Sequence, residues 1–111
     1  MANKFKSIGV DLTTTNDTTV LTATASSVLI IGSIVVSNNH ASTASTLSIT
    51  MDDTSAGTVV NILTLEPLTA GQSFEVLTRP IIADNLDILK VQAANANIIT
   101  VLVSYIDRDR S

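Results

Sequence analysis

Apolar and polar residues alternate along this chain in short runs separated by turn signals. The clearest is "TLSITMD" (Thr46–Asp52): Leu47, Ile49 and Met51 take one side, Ser48 and Thr50 the other. That period of two is what a half-buried strand requires. Similar runs, with Gly, Asn, Asp and Pro between them, predict strands at Phe5–Leu12, Thr18–Ala23, Ser27–Val36, Thr46–Asp52, Thr58–Glu66, Gln72–Thr78, Leu86–Ala93 and Ile98–Ile106. Eight strands and no convincing helix predict an all-β, antiparallel β-sandwich or jelly roll in a single domain over 1–111. A helix competes weakly at Leu86–Ala93, where Leu86 and Ile88 inward with Asp87 outward favour a strand. "RPIIADN" (Arg79–Asn85) reads as a turn. "DRDRS" (Asp107–Ser111) reads as a solvated tail, and the first three or four residues as flexible.

Two runs break the alternation. In "SVLIIGSIVVS", Val28, Ile30, Ile34 and Val36 point one way and Leu29, Ile31 and Val35 the other; "IITVLVSYI" is likewise apolar on both sides. Gly32, inside the first run, signals a bulge or a close backbone approach. Three explanations compete: a loop covers the second face, another copy of the chain covers it, or water tolerates it, since much of any protein surface is apolar. Burying six such side chains is worth on the order of 10 kcal/mol at about 25 cal/mol per Å², and left in water they would form an unusually large patch. Burial in a symmetric homo-oligomer is the preferred explanation. It assigns Leu29, Ile31, Val35, Ile99, Val101, Val103 and Tyr105 to a subunit or lattice interface. It weakens if the two strands lie in different sheets, because each then needs its own cover.

Composition sharpens this picture. Charged residues make up only 14% and apolar residues 45%, with Thr and Ser filling much of the rest, a mixture that suits pleated surfaces. Six Lys and Arg are scattered against ten Asp and Glu. This argues against nucleic acid, whose phosphates need clustered cations, and against a polybasic membrane anchor. No apolar run approaches the roughly 20 residues of a membrane helix, and "MANKFKSIGVDLTTT" has no apolar stretch behind its lysines. The expectation is a soluble chain made in the cytoplasm.

Candidate chemistry is thin. There is no cysteine, hence no thiol nucleophile, thiolate metal site or disulfide. His40, the one histidine, lies in a polar loop with no Gly-x-Ser-x-Gly elbow to support a triad, and reads as solvated. Asp52 and Asp53, like Asp84 and Asp87, lack the spacing of a calcium loop and read as turn caps. Glu66 and Glu75 read as solvent-facing strand ends rather than a glycosidase pair. The four glycines are isolated, so no phosphate loop is present; Gly57 and Gly71 sit where turns want positive φ. This inventory predicts no enzyme, no cofactor and no metal. A sugar-binding module would need more aromatic rings than Phe5, Phe74 and Tyr105.

A Thr-rich opening leads into "SVLIIGSIVVSNNHASTASTLSITM" and then "LEPLTAGQSFEVLTRPIIADNLDILKVQAANANIITVLVSYID". This series resembles small all-β virion structural proteins of tailed bacteriophages, cyanophages among them. The matching positions are Val36 and Asn38 before a polar loop, Pro67, Ala70, Gly71 and Ser73 in a turn, Leu86, Ile88, Val91 and Ala93 in a strand, and Ser104 and Tyr105 near the end. The resemblance implies a virion component, made in the host cytoplasm, with no catalytic motif. On that basis the expected role is a capsid decoration (cement) protein that binds a major capsid or other virion protein as a homo-oligomer, with a trimer as the first guess. A neck, tail or fibre position is the alternative. A carbohydrate-binding receptor module, using the loop 38–45, is the alternative of another class.

Overall fold

The computed structural model describes residues 3–54 and 56–109. Nine strands form there: β1 (Asn3–Asp11), β2 (Thr18–Thr22), β3 (Ser27–Asn38), β4 (Ser45–Asp53), β5 (Thr58–Leu68), β6 (Ser73–Glu75), β7 (Ile81–Asp84), β8 (Ile88–Ala93) and β9 (Ile99–Asp109). They build two sheets. One has the order β1-β9-β3-β6, with β7 also on β3; the other runs β2-β8-β4-β5. Every pairing is antiparallel.

The topology follows from nested pairs. β1 pairs with β9, β2 with β8, β3 with β6 and β7, and β4 with β5. Chain ends thus pair with chain ends and the middle with the middle, and successive pairs wrap across both sheets. This is the jelly-roll arrangement, with one of its eight strand positions filled by two pieces, β6 and β7.

The inner faces form one core, with Leu12, Ile31, Ile34, Leu47, Ile49, Leu68 and Leu89 among its fully buried side chains. In β4 the sequence pattern holds: Leu47, Ile49 and Met51 are buried and Ser48 and Thr50 are not. Gly57 and Gly71 take φ of 70° and 74° at turns, as their positions require.

β3 corrects the sequence reading. Its register on β9 shifts between Ile31 and Ser33. One extra residue flips the side-chain phase. Leu29 and Ile31 before the bulge, and Ile34 and Val36 after it, therefore all face the core. Gly32 marks this bulge and not a close approach, because a Cβ built there meets no atom within 4 Å.

Five of the seven residues assigned to an interface are thereby placed elsewhere. Leu29, Ile31, Ile99, Val101 and Val103 are buried in this chain's own core. The strands do share a sheet, but the side chains named on them point at the opposite sheet, so their burial is satisfied within one chain.

Four further expectations change. Arg79–Asn85 is not all turn: Ile81–Asp84 forms β7. The run at Gln72–Thr78 shortens to Ser73–Glu75. β6 follows Val35–Ser37 and β7 follows Val28–Ile31, so the strand breaks opposite the bulge. Leu86 and Asp87 lie in the turn before β8, where Asp87 is buried and Leu86 exposed, and β8 turns Leu89, Val91 and Ala93 inward. The turn puts Leu86 at φ 71° and turns the Asp87 carboxylate inward, where it accepts from the amides of Thr54 at 3.1 Å and Asp84 at 3.2 Å. Finally, Asp107–Asp109 belong to β9, with Lys4 opposite Asp107 and Asn3 opposite Arg108. The charged ends pair with each other instead of trailing in solvent. The remainder of the expected flexible ends, residues 1–2 and 110–111, lies outside the described residues.

Candidate interaction surface

The five-stranded sheet has an outer face as well as an inner one, and its register writes that face out rung by rung. Ile30 on β3 lies opposite Ile82 on β7 and Ile106 on β9, and Ile106 lies opposite Phe5 on β1. Directly opposed residues share a face, with Cβ atoms about 5 Å apart. Ile82, Ile30, Ile106 and Phe5 therefore make one apolar rung across four strands. Phe5 is 83% exposed and Ile82 62%, while Ile30 and Ile106 are half-buried between them.

The next rung is polar: Ser33, Ser104 and Ser7. Beyond it Val35 lies opposite Leu102, which is 46% exposed, and Leu102 opposite Gly9. On the other side of the apolar rung, Val28 lies opposite Arg108 and Asp84. The face thus has two apolar rungs about a serine rung, with charged residues at its margins. Its exposed apolar surface is on the order of 400 Å², the size of the largest patch on a typical monomer, which is often functional. Phe5, Ile30, Ile106, Tyr105 and Pro80 line a shallow depression on it.

Of the seven sequence-assigned residues, Val35 belongs to this face, and Tyr105, packed against the core, reaches its depression. Phe5, Ile30, Ile82, Leu102 and Ile106 were missed. The signal for one of them lay in Gly32: reading it as a one-residue insertion puts Leu29, Ile31, Ile34 and Val36 on one face and Ile30 with Val35 on the other. Leu102 and Ile106 then follow from the pairing of β9 with β3. Phe5 and Ile82 join only through strand pairing, which the local pattern does not contain.

Glu75 fixes the bulge. Its carboxylate accepts from the Ser33 hydroxyl, from the Ile34 amide at 2.8 Å and from the Leu77 amide at 3.2 Å. The backbone of Ile34 faces β6, which ends at Glu75: its carbonyl accepts from the Val76 amide at 2.8 Å, and the Glu75 carboxylate takes the amide that the ended strand leaves over. Partial burial pushes the Glu75 pKa up, but the hydrogen bonds from Ser33, Ile34, Leu77 and Val76 outweigh it and hold it below its ordinary value of 4.5. Glu75 is a structural clamp, not a bare strand end.

In the loop 38–45, Asn38 and Ser45 are buried at its ends, while Asn39, His40 and Ser42 are exposed. Asn38 is buried; its Nδ2 donates to the carbonyls of Thr43 at 2.9 Å and Leu68 at 3.1 Å, and its Oδ1 accepts from the His40 amide. His40 Nδ1 accepts from the amides of Ser42 and Thr43, which is a local turn contact. Asp53 caps the Ala56 amide at 3.2 Å, as its turn position predicts. Among the described residues, no group of three or more His, Cys, Asp or Glu is placed to hold a metal ion. None of their helices is long and apolar enough to cross a membrane.

No family model matches the sequence, and no curated protein matches it. Solved structures do match in shape. A chain from a structure of infectious bursal disease virus, Gx strain, is 13% identical with a TM-score of 0.50; the match covers 97% of this protein and 37% of that chain. A chain of the VP2 subviral particle of the same virus is 14% identical with a TM-score of 0.48, covering 95% and 32%. A pentameric capsid protein from metagenomic phage sequences is 20% identical with a TM-score of 0.41, covering 95% and 61%. The protein spans about a third of the length of the two bursal-virus chains. At such identities the likeness of the first establishes a shared all-β sandwich fold.

Proposed function

We propose that this protein is a structural component of a virus particle, specifically a capsid decoration protein of a tailed bacteriophage that binds the capsid lattice as a homo-oligomer. The observation that carries the proposal is the outer face of the five-stranded sheet. A rigid jelly roll presents apolar rungs to solvent there, and such a face is a means of adhesion. The fold is shared over nearly the whole chain with a chain from a virus structure, and the sequence resembles phage virion proteins from β3 to β9. In the loop 38–45 the Asn38 side chain and His40 Nδ1 are engaged in internal hydrogen bonds, and no Phe, Tyr or Trp ring stands in that loop for a sugar to stack on. A preorganised module bound across a seam stabilises the lattice by mass action.

Quantitative mass spectrometry of purified phage particles tests this. The expected result is a copy number that is a simple fraction of the major capsid protein's, together with particles that lose heat resistance when the protein is stripped. A few copies per particle would place the protein in the neck, tail or fibre, and its absence from particles would end the virion reading.

A further inference from the structure

We infer that two copies of this chain pair face to face through the outer side of the β7-β3-β9-β1 layer, about a two-fold axis that runs parallel to the strands between β3 and β9. The inference deepens the homo-oligomer part of the proposed function and names its surface; it does not depend on the virion part.

The order of residues on the face carries it. Across the strands, the main rung reads Ile82, Ile30, Ile106, Phe5. Turning a second copy about an axis parallel to the strands reverses that order and leaves each rung at its own height. Phe5 then meets the partner's Ile82, and Ile30 meets the partner's Ile106. The serine rung meets the serine rung, and the Val35–Leu102 rung meets its own copy. Phe5, the largest and most exposed apolar side chain, stands where the smaller Ile82 faces it. At the edge of the upper rung, Glu75 meets Gly9, which has no side chain to clash.

The perpendicular choices fit worse. An axis along the serine rung sets Phe5 on Gly9 and Ile106 on Leu102 but presses Ile82 against the Glu75 carboxylate. An axis along the main rung sets Phe5 on Phe5 and slides the serine rung onto the rung of Val28, Arg108 and Asp84. Apolar and charged groups then face hydroxyls in a dry contact, which costs desolvation without matching partners. The self-complementarity is that of an isologous contact, and it points to a dimer instead of the trimer expected from the sequence.

The size is adequate. Four strands at about 4.8 Å spacing, over about nine residues of rise, give a face of roughly 20 Å by 30 Å. With the relief of its side chains this approaches the roughly 800 Å² per partner of a standard interface.

Sedimentation velocity of the purified protein over about 1–100 μM, with disulfide trapping, tests the inference. The wild type is expected to sediment as a concentration-dependent dimer. Phe5→Asp weakens self-association by about 100-fold or more, since each dimer uses the residue twice at a contact of hot-spot type, and it keeps its strand-like circular dichroism. Phe5→Cys combined with Ile82→Cys forms a covalent dimer under mild oxidation, whereas Phe5→Cys alone does not. Within one chain these positions are three strands apart, about 14 Å, beyond the roughly 7 Å that a disulfide spans, so any cross-link is between copies.

A monomer at all concentrations with no cross-link overturns the inference, as does a trimer mass. Cross-linking of Phe5→Cys alone overturns the axis. A monomer that nevertheless binds particles, and loses that binding on Phe5→Asp, gives the face to the lattice: the pairing is then wrong and the virion role stands.

Discussion

The two outer faces of this sandwich are built from the same β-branched grammar and differ in chemistry: β4 and β8 turn polar residues out, with exposed Val59 and Leu65 on the edge strand β5, whereas β3 and β9 carry apolar rungs. On the four-stranded sheet, β4 turns Thr46, Ser48, Thr50 and Asp52 outward, and β8 turns Lys90 and Gln92 outward. Thr50 lies opposite Lys90 and Ser48 opposite Gln92. Lys90 Nζ is 2.8 Å from Asp52 Oδ2, and Gln92 donates to the Thr15 carbonyl at 3.0 Å. That face satisfies itself and water together. On the five-stranded sheet the corresponding positions carry Ile, Phe, Val and Leu. Threonine and valine fill similar space on a pleated surface, so foldability alone does not separate the two faces. The difference lies in how each is finished: polar groups paired across β4 and β8 on one side, contiguous apolar rungs on the other.

Neighbouring residues of β9 give the sharpest way to break this contrast. Val101 faces the core and Leu102 the outside. Val101→Asp buries a carboxylate without a partner, at a cost of about 4 kcal/mol or more. Against a typical total of about 5–15 kcal/mol, the variant is expected to lose most or all of its folded population, seen as loss of the strand signal and of a cooperative thermal transition. Leu102→Asp should change stability by less than about 1 kcal/mol and abolish self-association instead. Should Leu102→Asp unfold the domain, the outer face is part of its stability, and the distinction between the faces collapses.

How much of this was legible in the sequence follows from the same two strands. β4 could be read outright, because its period of two is unbroken and one face is polar. β9 could be located but not oriented, because Val101 and Leu102 are equally apolar and only the partner sheet tells them apart. β3 could be located and its bulge suspected from Gly32, yet its phase was carried straight through, which misplaced Leu29 and Ile31. β7 was invisible as a strand: four residues after Pro80 carry too little pattern, and their extended form is imposed by pairing with Val28–Ile31. The apolar rung from Ile82 to Phe5 joins residues 77 positions apart in the chain through three pairings, each non-local. Local periodicity holds no record of such contacts.

Glu75 tests whether the bulge sets the contrast between inside and outside. Removing its carboxylate with Glu75→Ala leaves the Ile34 amide to water. Since the site is exposed, the expected cost is about 1 kcal/mol, measured by urea denaturation, with weakened self-association because Ile30 and Val35 lose their fixed spacing. The folded-state pKa lies below the ordinary 4.5. The unfolded chain therefore binds its proton at higher pH than the folded one. The stabilisation is fully present above pH 4.5 and is lost as pH falls through the lowered value. Glu75→Gln should flatten this part of the curve: its melting temperature falls less than the wild type's below pH 4.5. Parallel curves for the two proteins would remove Glu75 from its clamping role.

The smallest effect is expected on the polar face. The hydrogen bond and charge of Asp52 raise the Lys90 pKa, but both groups are bathed in solvent, where an ion pair adds little and salt screens it. Lys90→Met removes the charge and keeps a long apolar stem. If that face only meets water, the variant should melt at the wild-type temperature and sediment identically, because Thr46, Ser48, Thr50 and Gln92 surround the new methionine with polar groups. An apolar surface needs contiguous rungs before it draws a partner, and a single methionine among hydroxyls does not supply them. If Lys90→Met alone creates a new, larger oligomer, then the four-stranded face is held apart by one charge, and the two faces differ by much less than their rungs suggest.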